Sequence, residues 1–223
     1  MSDKVDIRQL SLEELTEKLV ALGEKPFRAK QVHEWLWKKR ATNFSDMTNL
    51  SLSLRELIEE HFVINAIKLS EAQKSDDRTI KNAFLLADDA VIEGVLIPTK
   101  KRMTACVSVQ VGCSLDCAFC ATGKLKRVRN LNPDEIYDQV VMISNQAKEE
   151  YNIPLSNIVF MGMGEPLLNI DDLLLSIRSI NEDFQISQRK ITVSTVAIPK
   201  MINKLSAKSF QILGNCQFTL AIS

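Results

Sequence analysis

Apolar positions fall at helical spacing through the first sixty-odd residues and change rhythm after that. Ser11 followed by Glu14 is a capping box, with Leu12, Leu15, Leu19 and Val20 spaced for a helix behind it. Gly23-Glu24-Lys25-Pro26 breaks the pattern, and Pro26 suits a helix start. The next helix carries Val32, Trp35 and Leu36 on one face, and a third runs from about Ser53 with Leu54, Leu57, Ile58 and Phe62. Residues 1–65 therefore predict a small helical domain.

From residue 66 to 99 the texture is that of strands. Ile80 to Ala87 and Ala90 to Ile97 are short apolar runs separated by Asp88-Asp89, which predicts a β-hairpin linking region. From 100 to 223 strands and helices alternate. Strands are expected at 103–109, 158–161, 191–195 and 218–222, and helices at 134–146, 171–180 and 200–205. Such alternation predicts an α/β fold with a parallel sheet covered by helices, and four strands make only part of a barrel. The sequence stops at Ser223, right after its last strand, so a fragment of a larger architecture is expected. No internal repeat or low-complexity tract interrupts the pattern.

Composition narrows the class. Hydrophobic residues make up 45% and charged residues 25% of the 223, enough apolar matter for a core. Lys and Arg balance Asp and Glu at 28 each, so nucleic-acid binding would need a local patch rather than total charge. The residues from Met1 to Gln9 are polar and lack a signal-peptide core, and no stretch is long and apolar enough to span a bilayer. A cytoplasmic protein with no membrane partner is expected.

The five cysteines change the picture most. Four of them, Cys106, Cys113, Cys117 and Cys120, crowd one short stretch, and Cys216 stands apart. That odd, clustered count points to a reducing compartment and a metal or redox site rather than a disulfide framework. Cys113, Cys117 and Cys120 have C-x3-C-x2-C spacing on a predicted loop. Thiolates select iron–sulfur clusters, zinc or copper(I). Three cysteines on a four-iron cluster leave one iron open to a ligand. Structural zinc wants four protein ligands, and His33 and His61 are distant in sequence while Cys106 sits inside a strand. The spacing favours the cluster, with zinc as the alternative.

The sequence around the cysteines resembles one family. Gln110-Val111-Gly112-Cys113, Phe119-Cys120-Ala121-Thr122-Gly123, Arg129-Asn130-Leu131, the stretch from Gly162 to Asn169, and the stretch from Leu22 to Val32 carry the likeness. It is similar to the radical S-adenosylmethionine adenine methyltransferases of 23S ribosomal RNA and transfer RNA. The resemblance implies a partial (β/α) radical S-adenosylmethionine barrel behind a small helical RNA-binding domain. It implies one 4Fe-4S cluster and S-adenosylmethionine as cofactors, and methylation of carbon 2 of an adenine. In that reaction a cysteine is first methylated, a radical is made on its methyl carbon, and a second cysteine releases the product by forming a disulfide.

Carried over residue by residue, the resemblance makes Cys113, Cys117 and Cys120 the cluster ligands. Gly164, Glu165, Ser194 and Ser223 become cofactor contacts, Cys106 the resolving cysteine and Glu93 the proton acceptor. On the residues alone, Gly164 would be an ordinary turn, Ser194 a helix cap, and Cys106 core filler. Glu93 sits among Val91, Ile92, Val95 and Leu96, where burial would raise its pKa and suit proton transfer, unless it merely blunts an edge strand. Lys100, Lys101, Arg102, Lys124, Lys126, Arg127 and Arg129 bracket the cysteines and could hold RNA phosphates. Trp35 and Trp37 could stack on bases, though Trp35 shares a face with core residues. Cys216 matches no family position and reads as a buried thiol.

The sequence departs from the family pattern in three places. Ala197 stands where members usually carry a glycine, and Lys126-Arg127 where many carry another. The segment expected to hold the methyl-carrying cysteine is absent. Expected partners are 23S ribosomal RNA, transfer RNA and an external electron donor such as a flavodoxin-type reductant, with the protein a monomer. A sister activity on carbon 8 and a zinc-stabilised RNA-binding module without catalysis remain as alternatives.

Overall fold

A computed structural model of the chain describes residues 4–222 apart from Asp116 and Phe119. The chain divides into two compact units, Met1–Ala66 and Ile67–Ser223. Among the described residues no helix is long and apolar enough to cross a membrane.

The first unit is helical. Strand β1 (Val5–Asp6) leads into α1 (Leu12–Ala21), α2 (Phe27–Trp37) and α3 (Leu52–His61), and β2 (Phe62–Val63) returns to pair in parallel with β1. The Ser11–Glu14 capping box forms, with bonds of 2.8 and 3.1 Å. The third helix starts earlier than the apolar spacing suggests, because the Ser51 hydroxyl rather than Ser53 accepts from the Leu54 amide. Leu15, Leu19, Ala29, Val32, Leu36, Leu54 and Ile58 fill the core. Val20, expected on that face, is exposed. The Trp35 indole donates to Asn49 and its ring lies under Lys39 at 3.9 Å, so neither its N–H nor that ring face is open to a base.

The second unit is built on a seven-stranded sheet in the order β11 (Thr219–Ile222), β10 (Ile191–Thr195), β9 (Asn157–Phe160), β6 (Met103–Cys106), β5 (Val91–Pro98), β4 (Ile80–Leu85), β3 (Lys68–Lys74). Strands β3, β4 and β5 are antiparallel, and β5 pairs antiparallel with β6. The expected hairpin linker is thus continuous with the main sheet. Beyond it β6, β9, β10 and β11 run parallel. The crossovers between these strands are α4 (Pro133–Tyr151), α5 (Ile170–Phe184) and α6 (Pro199–Leu213). A two-rung ribbon, β7 (Gln110–Val111) with β8 (Arg129–Asn130), carries the cysteine loop.

One face of this sheet is packed under helices. Ile92, Leu96, Ala105, Ile158, Phe160, Ile191 and Val193 are buried there with Ile136, Val140 and Ile143 of α4 and Leu173, Leu174 and Ile177 of α5. Gly94 is required on that face, since a Cβ would lie 2.7 Å from the Phe84 ring and 3.2 Å from Ile143. Side chains alternate along a strand, so Glu93, Val95, Thr104, Cys106, Val159, Thr192 and Ser194 share the opposite face.

Candidate functional site

Parallel strands place their C-terminal ends at one edge, and open α/β sheets bind ligands there. The segments after β6, β9 and β10 meet at that edge. They are residues 107–110, 161–165 and 196–198. The first two are zipped together beyond the strand ends. Gly162 N–H donates to Val107 O at 3.0 Å, and Val109 and Gln110 N–H both donate to Met163 O at 2.9 and 3.2 Å. Gly162 must be glycine, because a Cβ would stand 2.6 Å from Ser108 Oγ. Gly164 has φ +98°, a region that only glycine enters without strain, and a Cβ there would strike the Gln110 side chain at 2.5 Å.

Two polar residues that the sequence reading passed over hold this junction. Ser108 is fully buried. Its hydroxyl donates to Glu93 O at 2.6 Å and accepts from Met163 N–H at 2.8 Å. Gln139 of α4 is buried beneath it and grips the Ser108 peptide from both sides, accepting from its N–H at 2.8 Å and donating to its carbonyl at 3.1 Å. Buried backbone groups need partners, and an amide side chain supplies both a donor and an acceptor. The legible signal was a polar residue within the apolar stripe Ile136, Val140, Ile143.

The carboxylate of Glu165 is buried and used by the protein itself. Oε1 accepts from Leu167 N–H at 3.0 Å and from the Thr195 hydroxyl at 2.6 Å, and Oε2 accepts from Val196 N–H at 3.1 Å. Glu165 therefore ties the loop after β9 to the end of β10. Thr195 Oγ1 also accepts from Ala197 N–H at 3.0 Å, and Ala197 sits at φ +61°. The departure from glycine noted at this position thus falls on a left-handed residue, where an L side chain costs energy.

Cys113, Cys117 and Cys120 are free thiols of intermediate exposure. Gly112, at φ +71°, opens their loop, and its missing Cβ admits the Lys126 carbonyl, which would otherwise lie 2.3 Å away. A Cβ on Gly123 would lie 3.1 Å from the backbone of Cys117 and Leu115. Among the described residues no three His, Cys, Asp or Glu side chains converge as a metal-holding group. The donor set itself is informative: the loop carries three free thiols, one fewer than the four protein ligands that structural zinc wants. That set fits a cluster with one open iron better than structural zinc.

Cys106 is buried on the face opposite Ile92, Gly94 and Leu96, and its thiol is pushed up to about 11 by burial, with a hydrogen bond from the Met161 backbone pulling the other way. Ser194 lies on the same face, opposite Ala221. Ser223 lies outside the described residues, as do Asp116 and Phe119.

Several expectations need correction. Glu93 is neither buried nor on an edge strand. β5 is paired on both sides, and the Glu93 side chain is 49% exposed and ion-paired with Lys81 at 2.6 Å. The reason is the alternation that sends Ile92, Gly94 and Leu96 to the helices. Cys216 is exposed rather than buried. The basic residues that flank the cysteines in sequence are split between two places. Lys100, Lys101 and Arg102 occupy the turn before β6, separated from the cysteine edge by the strand's length of about 10 Å. Arg129 is committed elsewhere: it makes a bidentate pair with Glu135 at 2.7 and 2.8 Å and bonds Asp88 at 2.7 Å. These partners raise the pKa of the guanidinium, Glu135 foremost, and the same contact lowers that of Asp88.

Two family models match the chain. One is the ribosomal RNA large subunit methyltransferase N-terminal domain, over residues 5–64, and the other the radical SAM superfamily, over residues 107–215. The chain is 56% identical over 205 residues to the probable dual-specificity RNA methyltransferase RlmN of Christiangramia forsetii, covering 91% of the chain and 58% of that protein. It is 51% identical to the protein of the same description from Flavobacterium johnsoniae, covering 99% of the chain and 62% of that protein. A crystal structure of a radical SAM methyltransferase from Sphaerobacter thermophilus matches with a TM-score of 0.82 at 35% identity, covering 98% of the chain and 63% of that structure. The chain thus spans about three fifths of the length of the curated relatives it matches.

Proposed function

Because the chain belongs to the RlmN family of radical S-adenosylmethionine RNA methyltransferases, we propose that it forms the cofactor-binding part of an enzyme that methylates carbon 2 of an adenine in 23S ribosomal RNA and transfer RNA. The observation that carries this reading is the union, at one sheet edge, of a three-thiol loop and a glycine loop zipped to its root.

In this reading Cys113, Cys117 and Cys120 would hold a 4Fe-4S cluster, and three thiolates would leave one of its irons available to S-adenosylmethionine. When bound, the cluster supplies the electron that cleaves the sulfonium. The chain's own residues set the stage. Gly164, having no Cβ, lets the backbone approach the methionine part of the cofactor. Glu165 braces that loop against β10, and Ser194, on the sheet face that carries Cys106, is a cofactor contact in this reading. Cys106 waits on that face as a protonated thiol, because burial disfavours the thiolate. Glu93 shares the face as the proton acceptor of this reading, and Lys81 holds its side chain in an ion pair at 2.6 Å. Glu93 and Cys106 are diagonal neighbours across β5 and β6, about 7–8 Å apart, so a proton passes between them only through substrate or water.

The helical unit, residues 1–65, serves as the RNA-binding domain. Lys25, Lys30, Lys38 and Lys39 are exposed on and beside α2. An external one-electron donor, a monomeric state and a reducing, cytoplasmic setting complete the proposal. Iron and sulfide content after anaerobic reconstitution tests it. About four irons per chain, lost in Cys117→Ala, is the expected result. One zinc per chain without sulfide refutes the radical reading. Mass spectrometry of the modified adenine then separates carbon 2 from carbon 8.

A further inference from the structure

The segment Arg129-Asn130-Leu131 belongs to the recognisable sequence pattern, yet none of its residues enters the chemistry above. The cysteine loop leaves the sheet through β7 and returns through β8, with only Gln110 opposite Asn130 and Val111 opposite Arg129. Two rungs of antiparallel ladder are marginal by themselves in water. The stalk of the cysteine loop must therefore be held by side chains.

Asn130 does most of this. Its Oδ1 accepts from Gln110 Nε2 at 2.8 Å and from Arg127 Nη2 at 3.0 Å, and its Nδ2 donates to Leu168 O at 3.0 Å. One amide thus bonds to the other strand of the stalk, to the returning loop and to the far end of the glycine loop. The lattice continues on either side. Gln110 Oε1 accepts from Glu165 N–H at 2.9 Å, and buried Asn169 donates to both Val109 O and Leu131 O at 3.0 and 2.9 Å. Gln110 can lie across the glycine loop only because Gly164 has no Cβ.

We propose that Asn130 is a positioning residue that clamps the stalk of the cysteine loop to the 162–169 loop, so that the cluster and the methionine part of S-adenosylmethionine are presented in one fixed relation. The inference rests on the function proposed above. A cofactor held at once by an open iron on one loop and by the backbone of another binds well only if the two loops keep their spacing. Arg127 adds a third hydrogen bond to the clamp.

Asn130→Asp tests this. The aspartate keeps both acceptor bonds but turns an oxygen towards Leu168 O in place of an N–H. Asn82→Asp is the matched control, since Asn82 makes an equivalent amide pair with Gln146, both bonds 3.0 Å, between β4 and α4. In the reconstituted protein Asn130→Asp should keep the iron content of the parent. It should bind S-adenosylmethionine about tenfold more weakly, the scale of one lost hydrogen bond, and blunt the change that S-adenosylmethionine makes in the electron paramagnetic resonance signal of the reduced cluster. Without any cofactor, hydrogen exchange at 162–169 should quicken in Asn130→Asp and stay unchanged in Asn82→Asp. Parental affinity with parental exchange in Asn130→Asp overturns the proposal, as does equal weakening by Asn82→Asp. If Asn130→Asp does not fold, Asn130→Ser removes the amide without adding charge and is judged by the same readouts. A parent protein that takes up no iron refutes the proposed function instead, and the exchange measurement still decides the clamp.

Discussion

Gln139→Leu is the substitution whose cost the structure fixes best. The side chain is fully buried and serves both polar groups of the Ser108 peptide, at 2.8 and 3.1 Å. A third bond, to Glu135 O at 3.2 Å, goes to a carbonyl one turn back in the same helix and matters less. Leucine keeps the volume roughly constant, so packing changes little. Ser108 N–H and C=O are then left buried without the amide, at about 1–3 kcal/mol each. Allowing for the apolar gain, a loss of about 3 kcal/mol is expected, or about 6–12 °C in Tm for a unit of this size. Denaturant melts give the free energy, and hydrogen exchange at 107–110 and 162–165 shows whether the damage is local. Gln139→Glu separates hydrogen bonding from packing. Its carboxylate faces the Ser108 carbonyl and must be protonated to donate, so its folded pKa is raised. The variant is then least harmed near pH 5 and loses stability as pH rises. A loss below about 1 kcal/mol in Gln139→Leu, with exchange at Ser108 still slow, refutes the argument.

Three further expectations follow from particular contacts. Ala197→Gly should stabilise by about 0.5–1 kcal/mol, since relief of the left-handed strain at φ +61° exceeds the entropy that glycine adds to the unfolded chain, while Ala147→Gly inside α4 should destabilise; paired thermal melts decide the sign. Stability should fall as pH rises from about 9 towards about 11, by roughly 2–3 kcal/mol in all, because the native state keeps the Cys106 proton that the unfolded chain releases; Cys106→Ala should abolish that slope in denaturant titrations. Arg129→Met should cost about 3–5 kcal/mol by stranding the nearly buried Glu135 carboxylate, and Arg129→Lys should restore only part in chemical melts because an ammonium cannot make the bidentate pair.

The sequence shows those parts of the fold that rest on local rules. Ser11 and Glu14 announce α1 because both halves of a capping box lie within one turn. The alternation of strands and helices after residue 100 announces the parallel sheet, and the cysteine spacing announces the loop. What it conceals depends on partners distant in the chain. β3 carries no apolar signal because all seven of its residues are exposed at the sheet edge. α4 extends past Gln146 to Tyr151 on contacts such as Tyr151 Oη to Arg78 O at 2.6 Å and Lys74 to Glu150 at 2.7 Å, which no helical periodicity records. The exposure of Glu93 is hidden because an apolar strand leaves open which of its faces meets the helices. Gln110, Asn130 and Asn169 stood in plain view inside recognised motifs, but their function is to touch one another, and that emerges only when three separate segments meet.

The commitment of Arg129 has a consequence for any nucleic acid that approaches the cysteine loop. Each phosphate neutralised by a protein cation releases counterions, and for single strands each steepens the dependence of log affinity on log salt by about 0.7. Of Lys124, Lys126, Arg127 and Arg129, the last is neutralised by Glu135 and Asp88, whereas Arg127 bonds the uncharged amide of Asn130 and keeps its charge. The loop then has Lys124, Lys126 and Arg127 to offer, worth about 2.1 in slope rather than the roughly 2.8 that four free cations would give. Any grip of this edge on RNA would therefore lean less on ionic attraction than the number of its cations suggests, and would lose correspondingly less in salt.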